Sequence, residues 1–208
     1  MQSKHQDQPK RTFIEAARRA QIIDSAIEAL AELGYVKASL AQIAKRANIA
    51  TSVVSYYFEG KDDLMREVIT EVYSNAANYM QSKIDLNAPA RIMLREYIES
   101  NLAYGREHSK QLKALGEIII HWMAEPGKLP TGANPDESIL KPLEDLLRWG
   151  QETGEFRLFD VHPMAVSIRK AIDGALEQLV TYPDTDMDVY TQELITLFDL
   201  ATVAHKSD

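Results

Sequence analysis

Apolar residues recur roughly every three to four positions through nearly the whole chain, the spacing of helices that bury one face. The stripe Ile22, Ile23, Ala26, Ile27, Leu30 and Leu33 predicts a first helix. Thr12 to Glu15 opens it as a capping box, in which a hydroxyl and a carboxylate three residues on satisfy each other's backbone N–H groups, and Gly34 stops it. Ser39 to Gln42 repeats the capping pattern and opens a short helix burying Leu40, Ile43, Ala44 and Ala47. A third short helix begins near Thr51 and breaks at Glu59-Gly60. A longer one runs from Lys61 to about Lys83, with Leu64, Val68, Val72, Ala76 and Tyr79 or Met80 inward.

The remaining helices are predicted from Pro89, with the proline in the first turn, to His108; from Ser109 to Ala124; from Ile139 to Glu152; from Pro163 to Thr181; and from Met187 to Ala204. Glu125 to Ser138 is a loop rich in Pro and Gly. Gly154 to Pro163 is the best candidate for non-helical structure, and one strand makes no sheet. The expected fold class is all-α.

The short helix from Thr51 decides what the front end does. On a wheel of about 100° per residue, Val54, Tyr57 and Phe58 share one face, and Thr51, Ser52, Ser55 and Tyr56 share the other. Phe58 and much of Tyr57 therefore pack inward, while Tyr56 points out among hydroxyls with no carboxylate on that face. Such a surface suits phosphates and base edges. Two short helices joined through Asn48 form a helix-turn-helix, and the turn needs a residue that tolerates a left-handed backbone, as Asn does. Lys61 starts the next helix, where a cation opposes the helix dipole and so calls for an outside partner.

The run from Ser39 to Leu64, with Gly34-Tyr35 before it, closely resembles the N-terminal domain of TetR-type transcriptional regulators. The matching residues are Gly34, Tyr35, Ser39, Ile43, Ala44, Ala47, Tyr56, Tyr57, Phe58, Lys61 and Leu64. Asn48 stands where the family usually has Gly. Ala50 stands where it usually has a capping Ser, so Thr51 is expected to cap instead. The resemblance implies an N-terminal three-helix helix-turn-helix domain, a larger helical ligand-binding and dimerisation domain, and a third helix that enters the major groove. It implies phosphate contacts from Ser39, Tyr56 and Lys61, and base-edge positions for Thr51, Ser52 and Ser55. Tyr57 joins this set, Gly34-Tyr35 adds a backbone contact, and Lys10 and Arg11 reach out from the N-terminal arm. The expected organisation is a mobile basic arm over 1–11, the DNA-binding domain over 12–60 and the body over 61–208.

Charge sharpens this division. The net charge is −8, which alone argues against a polyanionic partner. Residues 1–66 carry a balance of +2, however, and residues 67–208 one of −10, so the front end is where duplex DNA would meet the chain. There are no cysteines, which removes disulfides and thiolate metal sites and agrees with a cytoplasmic location. No apolar run approaches a membrane span, and the polar N-terminus lacks the apolar core of a secretory signal.

Catalytic signatures are missing from the sequence, and His5, His108, His121, His162 and His205 show no metal-ligand spacing. No cofactor, metal or enzymatic activity is expected. In the body, Glu117 and His121 lie one turn apart beside Trp122, Tyr97, Asn101 and Tyr104 recur at helical spacing, and Trp149 ends a helix. Apolar walls with a few polar groups suit an effector cavity; the same residues also read as core, with Glu117 and His121 an exposed pair. The last two helices carry the stripes Met164, Ile168, Ala171, Ala175, Leu179 and Tyr190, Leu194, Phe198. Two such helices per chain pair as a four-helix bundle in a homodimer. The expected function is a ligand-responsive regulator, most simply a repressor released from a palindromic operator by a small molecule. The alternative is an all-helical carrier or enzyme with a vestigial front end.

Overall fold

A computed structural model describes residues 8–124 and 135–204. Its helices are α1 (Gln8–Lys37), α2 (Leu40–Arg46), α3 (Thr51–Tyr57), α4 (Lys61–Gln81), α5 (Ala90–Glu107), α6 (Ser109–Met123), α7 (Pro135–Glu152), α8 (Val161–Thr181) and α9 (Met187–Thr202). The β feature among the described residues is one isolated antiparallel bridge, Phe156 to Val203, flanked by bonds from Arg157 N to Thr202 O (2.8 Å) and Ala204 N to Glu155 O (3.0 Å). The segment expected to be non-helical is so from Gly154 to Asp160, and its last three residues begin α8.

Packing divides the chain into two compact units. The described residues of Met1–Ser74 and Lys110–Pro126 form the first, and those of Asn75–Ser109 and Gly127–Asp208 form the second. The division does not fall at residue 60 or 61. Most of α4 and nearly all of α6 belong with the helix-turn-helix, because Leu64, Met65, Val68, Val72, Ala114, Ile118 and Trp122 complete its core with Ile22, Ala26, Leu30, Ile43, Val54 and Phe58. The second unit centres on Leu94, Ile98, Leu102, Leu143, Leu147, Phe156, Ala165, Ile168, Ile172 and Ala175.

Several boundaries move, each for a local reason. The backbone is already helical at Gln8, ahead of the capping box, so the arm expected over 1–11 is helical over its last residues; residues 1–7 lie outside the described set. Gly34 interrupts α1 with φ 76°, a left-handed conformation that disfavours any side chain. Leu33, expected inward, is 38% exposed. Pro89 is the N-cap of α5 rather than its first residue. Helix α7 begins at Pro135, so the predicted loop ends earlier, and residues 125–134 lie outside the described set. Helix α8 begins at Val161, where Asp160 caps it by accepting from the His162 N–H.

Candidate nucleic-acid interface

The turn between α2 and α3 is built from the residues the sequence marks for it. Ser39 caps α2, its side chain accepting from Gln42 N at 3.2 Å. Asn48 holds φ 54°, the left-handed conformation the turn requires, and Ile49 N returns to Ala44 O at 3.0 Å. The N-cap of α3 is Ala50, which offers no side-chain bond. Thr51 is the first helical residue rather than the cap, so its exposed hydroxyl is not spent on capping.

The two faces of α3 separate as its periodicity requires. Val54 is fully buried and Phe58 nearly so, while Thr51, Ser52, Ser55 and Tyr56 are exposed. Tyr56 is 72% exposed, and its ring meets the half-buried Tyr57 edge to face with centroids 5.0 Å apart. Tyr57 thus props Tyr56 outward. Ser55 Oγ donates to Thr51 O at 3.3 Å, which leaves its oxygen able to accept. No acidic residue occupies the first turn of α3.

Other expected contacts are turned inward. Tyr35 is buried, and its N–H donates to Glu117 Oε2 at 2.9 Å. Its hydroxyl donates to Asp62 Oδ1 at 3.1 Å and accepts from Trp122 Nε1 at 3.1 Å, and its ring stacks on His121 with centroids 3.9 Å apart. A Cβ on Gly34 would lie 3.1 Å from the Glu117 carboxylate. The Tyr35 N–H is therefore committed to α6, and the Glu117 carboxylate crowds any side chain at Gly34. Lys61 donates from Nζ to the Tyr35 carbonyl, and its ammonium lies 4.0 Å from the Tyr35 ring centroid. The cation at this N-terminus thus has its partners inside the protein. Arg46 ties α2 to α1 through Glu28 and Glu32, and its bonds hold the Glu32 carboxyl below the usual carboxylate range. The side chains of Lys10 and Arg11 lie outside the described residues.

The residues expected to line an effector pocket fall in both units. Glu117, His121 and Trp122 belong to the first unit and grip Tyr35. In the second unit Tyr97, Asn101 and Tyr104 are buried. Asn101 is spent on Tyr97 O (2.8 Å) and on Arg169 Nη1 (2.8 Å). Trp149 is 38% exposed. Helical spacing identified buried positions there but could not separate a packed core from a lined cavity. Two clefts do open between α5 and α9. One, of about 320 Å³, is lined by Glu99, Arg106 and Asp188 among others, and the second, of about 380 Å³, by Arg91, Arg95 and Leu200 among others. None of the expected pocket residues lines either cleft.

The residues expected at a dimer interface divide by burial. Ile168, Ala175, Leu194 and Phe198 are buried in the core of their own unit, and Met164, Ala171, Leu179 and Tyr190 pack partly against it. The most regular apolar stripe of a helix marks the face its own core claims first. The exposed apolar residues of the same helices are Val180, Val189, Leu197 and Leu200.

No helix among the described residues is long and apolar enough to cross a membrane, and no group of three or more His, Cys, Asp or Glu among them is placed to hold a metal ion. A left-handed turn, two short helices and an outward face of hydroxyls and tyrosine define a helix-turn-helix protein with a separate helical second unit. Residues 22–68 match the family model described as bacterial regulatory proteins, tetR family. Among curated proteins the chain resembles the HTH-type transcriptional regulator BetI of Burkholderia thailandensis, 39% identical over 88 residues, which is 40% of this chain and 44% of the relative. It also resembles BetI of Escherichia coli O45:K1, 28% identical over 103 residues, 49% of this chain and 53% of the relative. The chain thus spans about half the length of these relatives or less. Among solved structures it resembles a regulator from Saccharomonospora viridis in complex with choline, with TM-score 0.80, 20% identity and coverage of 91% of this chain and 100% of that one. A TetR-family regulator from Rhodococcus sp. follows, with TM-score 0.79, 18% identity and coverage of 88% and 98%. At these identities the structural likeness establishes the fold.

Proposed function

We propose that this chain regulates transcription by binding duplex operator DNA as a homodimer and leaving it when a small molecule binds, most simply as a repressor. The observation that carries the reading is the outward face of α3. Thr51, Ser52, Ser55 and Tyr56 are exposed together, free of carboxylates, on a short helix held in a helix-turn-helix. Such a helix reads base edges while neighbouring hydroxyls meet phosphates. A single head buries little surface, so a dimer on a palindrome is the physical expectation. The exposed Val180, Val189, Leu197 and Leu200 of α8 and α9 supply an apolar face for it.

The effector reading has a narrower basis. In the second unit the rings of Tyr79, Tyr104 and His108 cluster, with Tyr104 and His108 centroids 4.5 Å apart, and Lys83 Nζ lies 5.3 Å from the Tyr79 ring centroid. An aromatic face that takes one ammonium can take another. The resemblance to a regulator solved with choline makes a quaternary ammonium the first compound class to test. The experiment is a mobility shift on the duplex upstream of the chain's own coding sequence, with and without choline, at two salt concentrations. The expected result is a salt-sensitive complex that loses affinity in the Ser52→Ala, Ser55→Ala double variant. Binding unchanged in that variant would remove α3 as the reading element. A complex indifferent to choline would remove the ammonium class and leave DNA binding standing.

A further inference from the structure

The recognition helix is poorly equipped to hold itself in place. At seven residues α3 is far shorter than a helix stable alone in water, and its N-cap residue, Ala50, makes no side-chain bond. Helix α2 is equally short, with seven residues. Both C-terminal ends leave carbonyls without intrahelical donors, and in each case the partner comes from the same stretch of α1. Arg19 Nη1 donates to Tyr57 O, the last carbonyl of α3, at 2.9 Å. Gln21 Nε2 donates to Ala47 O, the C-cap carbonyl of α2, at 2.9 Å.

Each donor is itself fixed. The Arg19 guanidinium lies 4.6 Å from the Phe58 ring centroid and pairs with Glu67 on α4 at 3.2 Å. One side chain thus joins α1, the end of α3 and α4. Gln21 Oε1 accepts from Arg18 Nη1 at 2.6 Å, which sets the amide so that its NH₂ faces Ala47. A cation at the end of α3 also complements the helix dipole.

We propose that Arg19 and Gln21 are the positioning residues of the reading head: by bonding the terminal carbonyls of α3 and α2 they fix the angle at which Thr51, Ser52, Ser55 and Tyr56 are presented. The inference rests on the proposed DNA-binding function for its consequence but not for its geometry. Loss of either bond frees the last turn of a short helix, and the exposed face turns with it. Sequence discrimination suffers, since it needs side chains held at base edges. Attraction to the phosphate backbone does not, since neither residue supplies a phosphate contact.

The test uses the full-length chain with two probes: a duplex selected by the wild-type protein from a random pool, and a scrambled duplex of the same length. Arg19→Met keeps the apolar stem over Phe58 and removes the donors; Gln21→Met does the same at α2. Each variant is expected to bind the selected duplex about tenfold more weakly. Affinity for the scrambled duplex should stay nearly unchanged, and so should the salt slope on both. Arg19→Lys, which keeps a charged donor, should recover part of the loss. Amide exchange by mass spectrometry should show faster exchange over 51–58 in Arg19→Met, with α8 unaffected. A fall in the salt slope of about 0.9 would make Arg19 a phosphate contact and overturn the proposal. So would equal losses on both duplexes, or unchanged exchange over 51–58. If the wild-type chain selects no duplex, the DNA-binding reading falls, and the exchange measurement still decides whether these residues hold α3.

Discussion

At position 48 the backbone sets a demand that the side chain only partly meets. Asn48 holds φ 54°, which costs most side chains about 1–2 kcal/mol, glycine nothing and Asn little. Asn48→Ala is expected to lower stability by about 1 kcal/mol, and Asn48→Gly to leave it equal or slightly higher. Chemical denaturation midpoints of the two variants check this. Asp24 makes the opposite kind of demand, electrostatic rather than conformational. Partial burial raises its carboxyl above the ordinary value of 3.8, and Glu71 and Glu28 add to the shift. The native chain thus keeps this proton to higher pH than the unfolded chain does. The charge costs stability at neutral pH, and the cost vanishes as pH falls through the raised value toward 3.8. Asp24→Asn should therefore stabilise the fold slightly at pH 7, since burial is the larger cause and the like charges of Glu71 and Glu28 the smaller ones. Its advantage over wild type should shrink in acid. An advantage that grew as pH fell would contradict this sign.

Among the elements, α5 shows how a helix borrows an end. Its N-cap is Pro89, which offers no side-chain acceptor. The Glu155 carboxylate takes that place from far along the chain, accepting from Ala90 N at 3.1 Å and Arg91 N at 3.2 Å. Glu155→Ala is expected to cost about 1 kcal/mol as a lost cap, and Glu155→Gln less. Thermal unfolding of both variants measures it. A cap this remote is not written near the helix it closes, and the contrast with local signals explains what the sequence could disclose. Helices were legible because Ser39, Gly34, Asn48 and the apolar stripes act within a few residues of themselves, whereas the Asp160 cap of α8 was not read. Remote partners were not. Nothing near Tyr35 announces that Glu117, His121 and Trp122 will close on it, and nothing near Tyr57 announces Arg19. The outward face of α3 was legible for the reason its boundaries were, since both follow from one periodicity.

For the whole molecule the consequential distinction is between apolar residues spent inside a unit and those left over. Ala175 and Phe198 are buried in the second unit, so a charge there should unfold the protein rather than divide a dimer. Leu200 is 66% exposed and Leu197 55%. If the proposed dimer forms on this face, Leu200→Asp should leave the helical content and melting behaviour of the chain close to wild type and reduce its mass in solution from dimer to monomer, because a charge buried in an interface costs several kcal/mol when unpaired. Light scattering beside circular dichroism separates the two effects. A dimer of unchanged mass would place the interface elsewhere.

The first unit is also discontinuous along the chain: Ala114, Ile118 and Trp122 of α6 belong to the same core as Ile22 and Phe58 of the helix-turn-helix. On the ribosome, the segment through Ser74 leaves first and must wait for α5 to pass before its last wall arrives. At roughly 5–20 residues per second, the delay lasts seconds, during which apolar surface meant for Trp122 faces water. A fragment ending at Ser74 should be less soluble than one ending after α6, although the longer fragment carries more chain that has no partner of its own.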